Sequence, residues 1–371
     1  MGTPGRAFAS SAPPSRGREP GVPLVTDYHQ VKEVYQEATE LGVALPVFCA
    51  EDRETLEAIL ASALEMGKAI GVEDLPIIPA WTVRYHGRPQ ATLITACGDP
   101  LLGVRLHLSD LDVLMSDGSP YAKLRVMPHI DHGIPWLDED VLLGLVDRVA
   151  SVMCDASEKP FAENIRITAE YVERVRGRVV VEGAVDEIYA ADGAGGMKNE
   201  PTTVEQAVKF LRETGVDILV PNVGTEHRMT GDHVVYRSDR AREISAAVGR
   251  ILCIHGTTSA RPEDLPKLPG DGFIKVNIYT TLAVRGGQAL ARHVLRNLGY
   301  ILPEEELREL VEAGVLGERV LAPDYGENRM PLKPRLDRVA NASRRDAWFA
   351  AVRDRCKEFL GIFGYQRYAG R

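Results

Sequence analysis

Three histidines stand where this chain could hold a metal ion. His132 lies in Pro128-His129-Ile130-Asp131-His132-Gly133, His227 ends Gly224-Thr225-Glu226-His227, and His255 follows Ile254 and precedes Gly256. Each comes just after a short apolar run of the kind that forms a buried strand. Any one histidine in such a place is more often a hydrogen-bonded structural residue, so the reading rests on the three together. Three neutral imidazoles with coordination positions left open make a catalytic zinc sphere, because the ion keeps room for water or substrate. Asp131 directly precedes His132, which would put a carboxylate beside whatever the ion holds, where a general acid or base is useful. The other reading of Asp131 is a buried carboxylate that only orients an imidazole. His129 could line the site or support Asp131. Asp155 and Ser157 close another run, as ligands of a second ion or as caps of the turn that follows. The other histidines, His29, His86, His107, His233 and His293, fall in the arm, insertion, loops or a helix and are read as structural.

The elements that would position these residues follow from hydrophobic period. Apolar or β-branched runs at 45–49, 75–78, 124–127, 151–154, 178–181, 217–220, 250–254 and 273–278 number eight, the strand count of a (β/α)8 TIM barrel. Stretches of helical period lie between them at 53–70, 139–149, 161–176, 203–214, 240–248 and 281–298. Thr203 with Gln206 three residues on forms a capping box, and Ser238 is placed to cap the helix carrying Arg240. Residues 82–123 hold too many turn residues for a simple helix, among them Gly87, Pro89, Gly98, Pro100, Gly103, Gly118 and Pro120. They predict an insertion after the second strand. The expected organisation is a disordered arm over 1–23, a barrel over 24–300, and a C-terminal helical extension over 301–371 with helices near 304–313 and 342–360, packed on the barrel or on a partner subunit. A doubly wound open sheet is the rival α/β architecture, but it usually has a Gly-rich loop after its first strand. The junction here, Phe48-Cys49-Ala50-Glu51-Asp52, has no glycine.

Composition narrows the function. The 371 residues carry 44 basic and 53 acidic side chains, a net charge of −9, with no clustered basic face to meet a nucleic acid. No apolar run reaches the ~18 residues of a membrane span. The five cysteines are widely spaced and include no CxxC pair, which argues against disulfides or a cysteine zinc knuckle and for a reducing cytoplasm. The expected partner is a small molecule.

The ordered residues also carry a resemblance. His129-Ile130-Asp131-His132-Gly133, the segment 151–157 with Pro160-Phe161 and Glu163-Asn164-Ile165, Gly224-Thr225-Glu226-His227, His255-Gly256, and Lys275-Val276-Asn277-Ile278 are similar, in order and spacing over about residues 45–298, to class II zinc-dependent fructose-bisphosphate and tagatose-bisphosphate aldolases. The resemblance implies that His132, His227 and His255 bind one catalytic Zn2+ ion. It implies too that Asp131 moves the proton on the hydroxyl next to the cleaved bond, and that Asn277 touches the ketone half. Zinc would polarise a carbonyl and stabilise the enediolate formed on cleavage.

The departures are equally specific. Where the family has two glutamates one residue apart, this chain keeps Glu182, expected to be catalytic, and has Ala184 in the second place. The acidic mobile loop matches 186–196, where Asp192 and Glu187 are the candidates for the enediolate proton and Asp192 is preferred. The family's Gly-Gly-Ser-Gly phosphate cradle becomes Gly256-Thr257-Thr258-Ser259, its Asp-Thr after the asparagine becomes Tyr279-Thr280, and Arg228 replaces a glycine. Substrate would then meet Arg228, Gly256, Thr257, Thr258, Asn277 and Thr280, and those groups could hold phosphate, carboxylate or sugar hydroxyls. The expected function is reversible aldol cleavage of a ketose or ketose phosphate by a homo-oligomer of two or four chains. A ketose epimerase using the same ion and a non-catalytic barrel that only binds are the alternatives. A zinc hydrolase of the amidohydrolase sort would show His-x-His on its first strand, which 45–51 lacks.

Overall fold

Strand β1 (Leu45–Cys49) is buried along its whole length, the signature of a strand covered on both faces. The computed structural model, which describes residues 24–86, 88–186, 201–225, 235–322, 325 and 342–371, pairs β1 in parallel with two neighbours, β2 (Pro76–Thr82) and β9 (Phe273–Ile278). The remaining strands complete the circle in the order β1-β9-β8-β7-β6-β5-β4-β2. They are β4 (His129–Gly133), β5 (Ser151–Cys154), β6 (Val180–Ala184), β7 (Ile218–Val220) and β8 (Leu252–Ile254). Every pairing is parallel and the sheet closes on itself, so the fold is the predicted (β/α)8 barrel.

The third barrel strand is displaced from its predicted place. The run at 124–127 supplies only a two-residue piece, β3 (Arg125–Val126), alongside the start of β2, and the barrel strand is the histidine motif itself. Pro128 has no N–H for the ladder and separates the two. Strand β2 also runs four residues past its predicted end, to Thr82, which moves its carboxyl terminus and the loop that follows.

The helices that follow the strands are α2 (Arg53–Ile70), α3 (Gln90–Leu93), α4 (Pro100–Leu114), α5 (Glu139–Gly144), α6 (Phe161–Val175), α7 (Val204–Thr214), α8 (Ser238–Val248) and α9 (Thr280–Arg296). The capping box of α7 forms as predicted, Thr203 accepting from the Gln206 N–H and Gln206 reaching back. Ser238 is instead the first residue of α8, and its hydroxyl donates to Asp271 at 2.6 Å. The helix predicted at 139–149 ends at Gly144 and continues only as a single 3-10 turn over Val146–Arg148. The turn-rich 82–123 stretch proves to hold the fifteen-residue α4, with Pro100 at its first position and Asp99 capping the Leu102 N–H at 2.8 Å. Its Gly103 serves close packing, since a Cβ there would lie 1.8 Å from the Ala91 carbonyl oxygen. An unpredicted helix, α1 (Tyr28–Leu41), buries Val31, Val34, Tyr35 and Ala38 on one face, and its Tyr28 hydroxyl donates to Asp217, just before β7, at 2.7 Å.

After α10 (Leu298–Ile301) and α11 (Glu304–Glu312), α12 (Phe349–Ile362) returns to the barrel beside α2 and α9. Phe359 meets Phe48 of β1 with ring centroids 6.4 Å apart, Trp348 donates to Thr55 at 2.8 Å, and the Tyr365 hydroxyl donates to the Pro76 carbonyl at 2.7 Å. No described helix is long and apolar enough to cross a membrane.

His107 of α4 is buried and stacks on Trp81 of β2 at 4.7 Å, and neither ring nitrogen finds a hydrogen-bond partner among the described residues. Burial alone pushes its pKa down from 6.5 to about 3. Below pH 6.5 the unfolded chain therefore takes up a proton that the folded chain refuses, so the stability present above that pH is lost as pH falls toward 3. The loss is about 1.4 kcal/mol per pH unit for this one residue. Urea unfolding at pH 7.5 and pH 5 should show His107→Leu losing roughly 2 kcal/mol less than the parent protein over that interval. Equal losses would mean that His107 does not carry the effect.

Candidate active site

The site is built on one backbone irregularity. In a strand, successive side chains face opposite sides, so Asp131 and His132 should not both point into the barrel. Strand β4 shifts register against β5 between Ile130 and Gly133, and His132 takes a φ of 47°, the one positive φ at a non-glycine among the described residues. The left-handed turn brings both side chains to the same buried mouth. Residues two apart on the strands stack two layers inside the barrel. Asp131, His255 and Asn277 form the upper one, and two residues back along the same strands His129, Cys253 and Lys275, with Glu182 of β6, form the lower.

Each group in the upper layer is held by name. His132 donates from Nδ1 to Asp155 Oδ2 at 2.6 Å, and Asp155 in turn accepts from the Ser157 hydroxyl at 2.6 Å and its N–H at 3.1 Å. That bond fixes the imidazole tautomer and makes Nε2 the nitrogen with the lone pair. His255 meets His132 edge to face, ring centroids 4.9 Å apart, and donates from Nε2 to Glu182 Oε1 at 3.1 Å. Burial lowers the His255 pKa, partly offset by that carboxylate, so the ring is neutral near pH 7. Donor atoms of Asp131, His132 and His255 all lie within 4.8 Å of one another. Two imidazoles and a carboxylate at that separation are a donor set suited to a divalent ion.

Asp131 accepts from Arg88 Nη2 at 2.6 Å on one oxygen and from Asn277 Nδ2 at 2.8 Å on the other, with the Cys49 thiol 3.3 Å away. Burial on its own would raise the Asp131 pKa; charge interaction with the neighbouring His132 and Arg88, with smaller contributions from His255 and His129, outweighs it and holds the group well below the usual carboxylate range. At neutral pH the guanidinium is the permanent charge among these. Arg88 lies face-on to Tyr279 at 4.5 Å, whose hydroxyl donates to Glu51 at 2.5 Å, and Tyr85 stacks on His132 at 4.0 Å.

Above these residues opens a cleft with about 400 Å³ of empty space, solvent at its mouth included. Gly256, Thr257, Thr258, Asn277 and Thr280 all line it beside His255 and Asp131. The Thr257 hydroxyl is spent on the Asn277 carbonyl at 2.8 Å, so it braces the cleft wall. Glu182 stands one layer lower and is wholly buried, bound by Lys275 and His255, and does not line the cleft. His129 is in that layer too, its Nδ1 2.8 Å from the Ser151 hydroxyl and its Nε2 3.0 Å from Lys275, so it neither lines the site nor touches Asp131. Asp192, His227 and Arg228 lie outside the described residues.

Sequence reading missed Arg88 and Tyr85. Both sit on the loop after β2, and inspecting that strand's carboxyl end would have found them had the end been placed at Thr82.

A family model described as fructose-bisphosphate aldolase class-II matches residues 29–315. The fructose-bisphosphate aldolase of Staphylococcus epidermidis is 28% identical over 286 residues, covering 74% of this chain and 87% of that protein. Among solved structures, the fructose-bisphosphate aldolase of Campylobacter jejuni has a TM-score of 0.70 at 16% identity, covering 92% of this chain and 96% of that one. The YdjI aldolase from Escherichia coli K12 has a TM-score of 0.61 at 20% identity, covering 91% and 98%. These two structural likenesses speak for the fold alone. Matched by the family model over 29–315 of its 371 residues, the chain belongs to the class II fructose-bisphosphate aldolase family and is a carbon–carbon lyase.

Proposed function

We propose that this enzyme reversibly cleaves a ketose or ketose phosphate between the carbons of an aldol, with one zinc ion held by His132, His255 and His227. The observation that carries the reading is the convergence of Asp131, His132 and His255 within 4.8 Å at the ends of β4 and β8. A bound divalent ion supplies Lewis acidity toward the substrate's ketone oxygen. Asp155 sets the tautomer and angle of His132 for that ion.

Asp131, kept anionic beside Arg88, takes the proton of the hydroxyl next to the bond that breaks. That oxygen then closes to the aldehyde carbonyl, and the electron pair of the broken bond passes to the ketone-derived half, which is afterwards protonated. Asn277, fixed against Asp131 at 2.8 Å, is placed to orient that half. Asp192 is the group proposed to return the proton. Gly256, Thr258, Thr280 and Arg228 are proposed to bind the rest of the substrate, in place of the family's glycine-rich cradle. Five free cysteines, four of them buried, fit a reducing cytoplasmic setting, and assembly as a homo-oligomer is part of the same reading.

Atomic emission on protein purified without chelator should find one zinc per chain, and NMR of a ketose incubation should show an aldehyde and a shorter ketone accumulating. Zinc-loaded protein that yields only an epimer, or no product from free and phosphorylated ketoses alike, would overturn the aldolase reading. Asp155→Asn should weaken zinc binding about 10- to 100-fold in a chelator competition, because the orienting carboxylate is gone. Unchanged affinity would show that His132 needs no such partner.

A further inference from the structure

The layer below the site is unusual for a barrel interior, which is ordinarily filled by bulky aliphatic side chains. His129, Glu182, Cys253 and Lys275 occupy it instead, all with no exposed surface. Lys275 donates to Glu182 Oε2 and lies 3.0 Å from His129 Nε2, and the second oxygen of the same carboxylate accepts from His255 Nε2 at 3.1 Å. One carboxylate thus ties a lysine of the lower layer to a histidine of the upper. A buried ion pair of this kind is seldom more stable than apolar residues of the same size. Stability therefore does not account for it, whereas fixed geometry does.

We infer that the Lys275–Glu182 pair is the positioning device of His255. Lys275 anchors one oxygen of Glu182, so the carboxylate cannot rotate and its other oxygen remains a fixed acceptor for His255 Nε2–H. The imidazole is thereby confined to one tautomer and one orientation, with Nδ1 as its lone-pair nitrogen. His129, with Nε2 3.0 Å from the Lys275 ammonium and Nδ1 2.8 Å from the Ser151 hydroxyl, is a second partner of that ammonium. Neither Lys275 nor Glu182 touches substrate in this assignment. It rests on the proposed function only in supposing that the ordered nitrogen serves an ion.

The decisive variant replaces the whole pair, Lys275→Met with Glu182→Leu, because the single Lys275→Met leaves a buried carboxylate without its partner and can fail to fold. The double variant should melt at or above the parent temperature. In the zinc-free protein, ring nitrogen NMR should show His255 passing from a single Nε2–H form to a mixture, and chelator competition should show zinc affinity falling about 10- to 100-fold. If Lys275→Met folds, it should show the same tautomer mixture. A double variant that folds and keeps one His255 tautomer with parental zinc affinity would make the pair purely structural and overturn the inference. A parent protein that binds no zinc would sink the proposed function instead, while the tautomer measurement still decides the role of the pair.

Discussion

The left-handed backbone at His132 is the constraint on which the site depends. A β strand presents every second residue to the barrel interior, and a site that sets a carboxylate and an imidazole side by side cannot be made from consecutive residues without breaking that rule. Holding a non-glycine residue at positive φ costs of order 1 kcal/mol or more, and it persists only where the surroundings over-determine it. Here they do: Asp155 grips one ring nitrogen, Tyr85 covers the ring face, and His255 closes the edge. Gly133 immediately after is part of the same device, since a Cβ there would lie 2.6 Å from Leu142.

Around this bend the barrel interior carries two buried ion pairs, Arg88 with Asp131 in the upper layer and Lys275 with Glu182 in the lower. Each carboxylate would be costly to bury alone, and each has a cation and a further hydrogen-bond donor, Asn277 for Asp131 and His255 for Glu182. Charge is thus brought into the buried interior in neutral pairs, one joining the loop after β2 to the neighbouring β4 and the other joining β9 to β6 across the circle. The surplus of surface carboxylates behind the net charge of −9 has no part in this balance.

Much of this was legible beforehand because two periods are strongly imposed. The strands at Leu45–Cys49, Ser151–Cys154 and Phe273–Ile278 and the helix Arg53–Ile70 stand at their predicted bounds, since each is buried on both faces or has one clear apolar stripe. The errors have local causes. Gly103 and Pro100 look like turn residues, but one sits where two helices touch and the other opens a helix, so α4 was hidden. Pro79 inside β2 disguised the last half of that strand and with it the loop that delivers Arg88. Asp131, His132, His255 and Asn277 were visible because their motif residues sit directly at strand ends.

The sequence by itself determined the barrel, the family and the strand-end places of Asp131, His132, His255 and Asn277, because strand number, alternation and strand-end position are all written in local order. Only the tertiary structure decided what each of them does to the others. It set Glu182 one layer below the cleft, brought Arg88 from an overlooked loop onto Asp131, and tied His255 to a lysine ninety-three residues away from Glu182 in the chain. The reason is physical: hydrogen bonds and ion pairs across a closed barrel join residues far apart in sequence, and no local pattern records which side chain will lie opposite which.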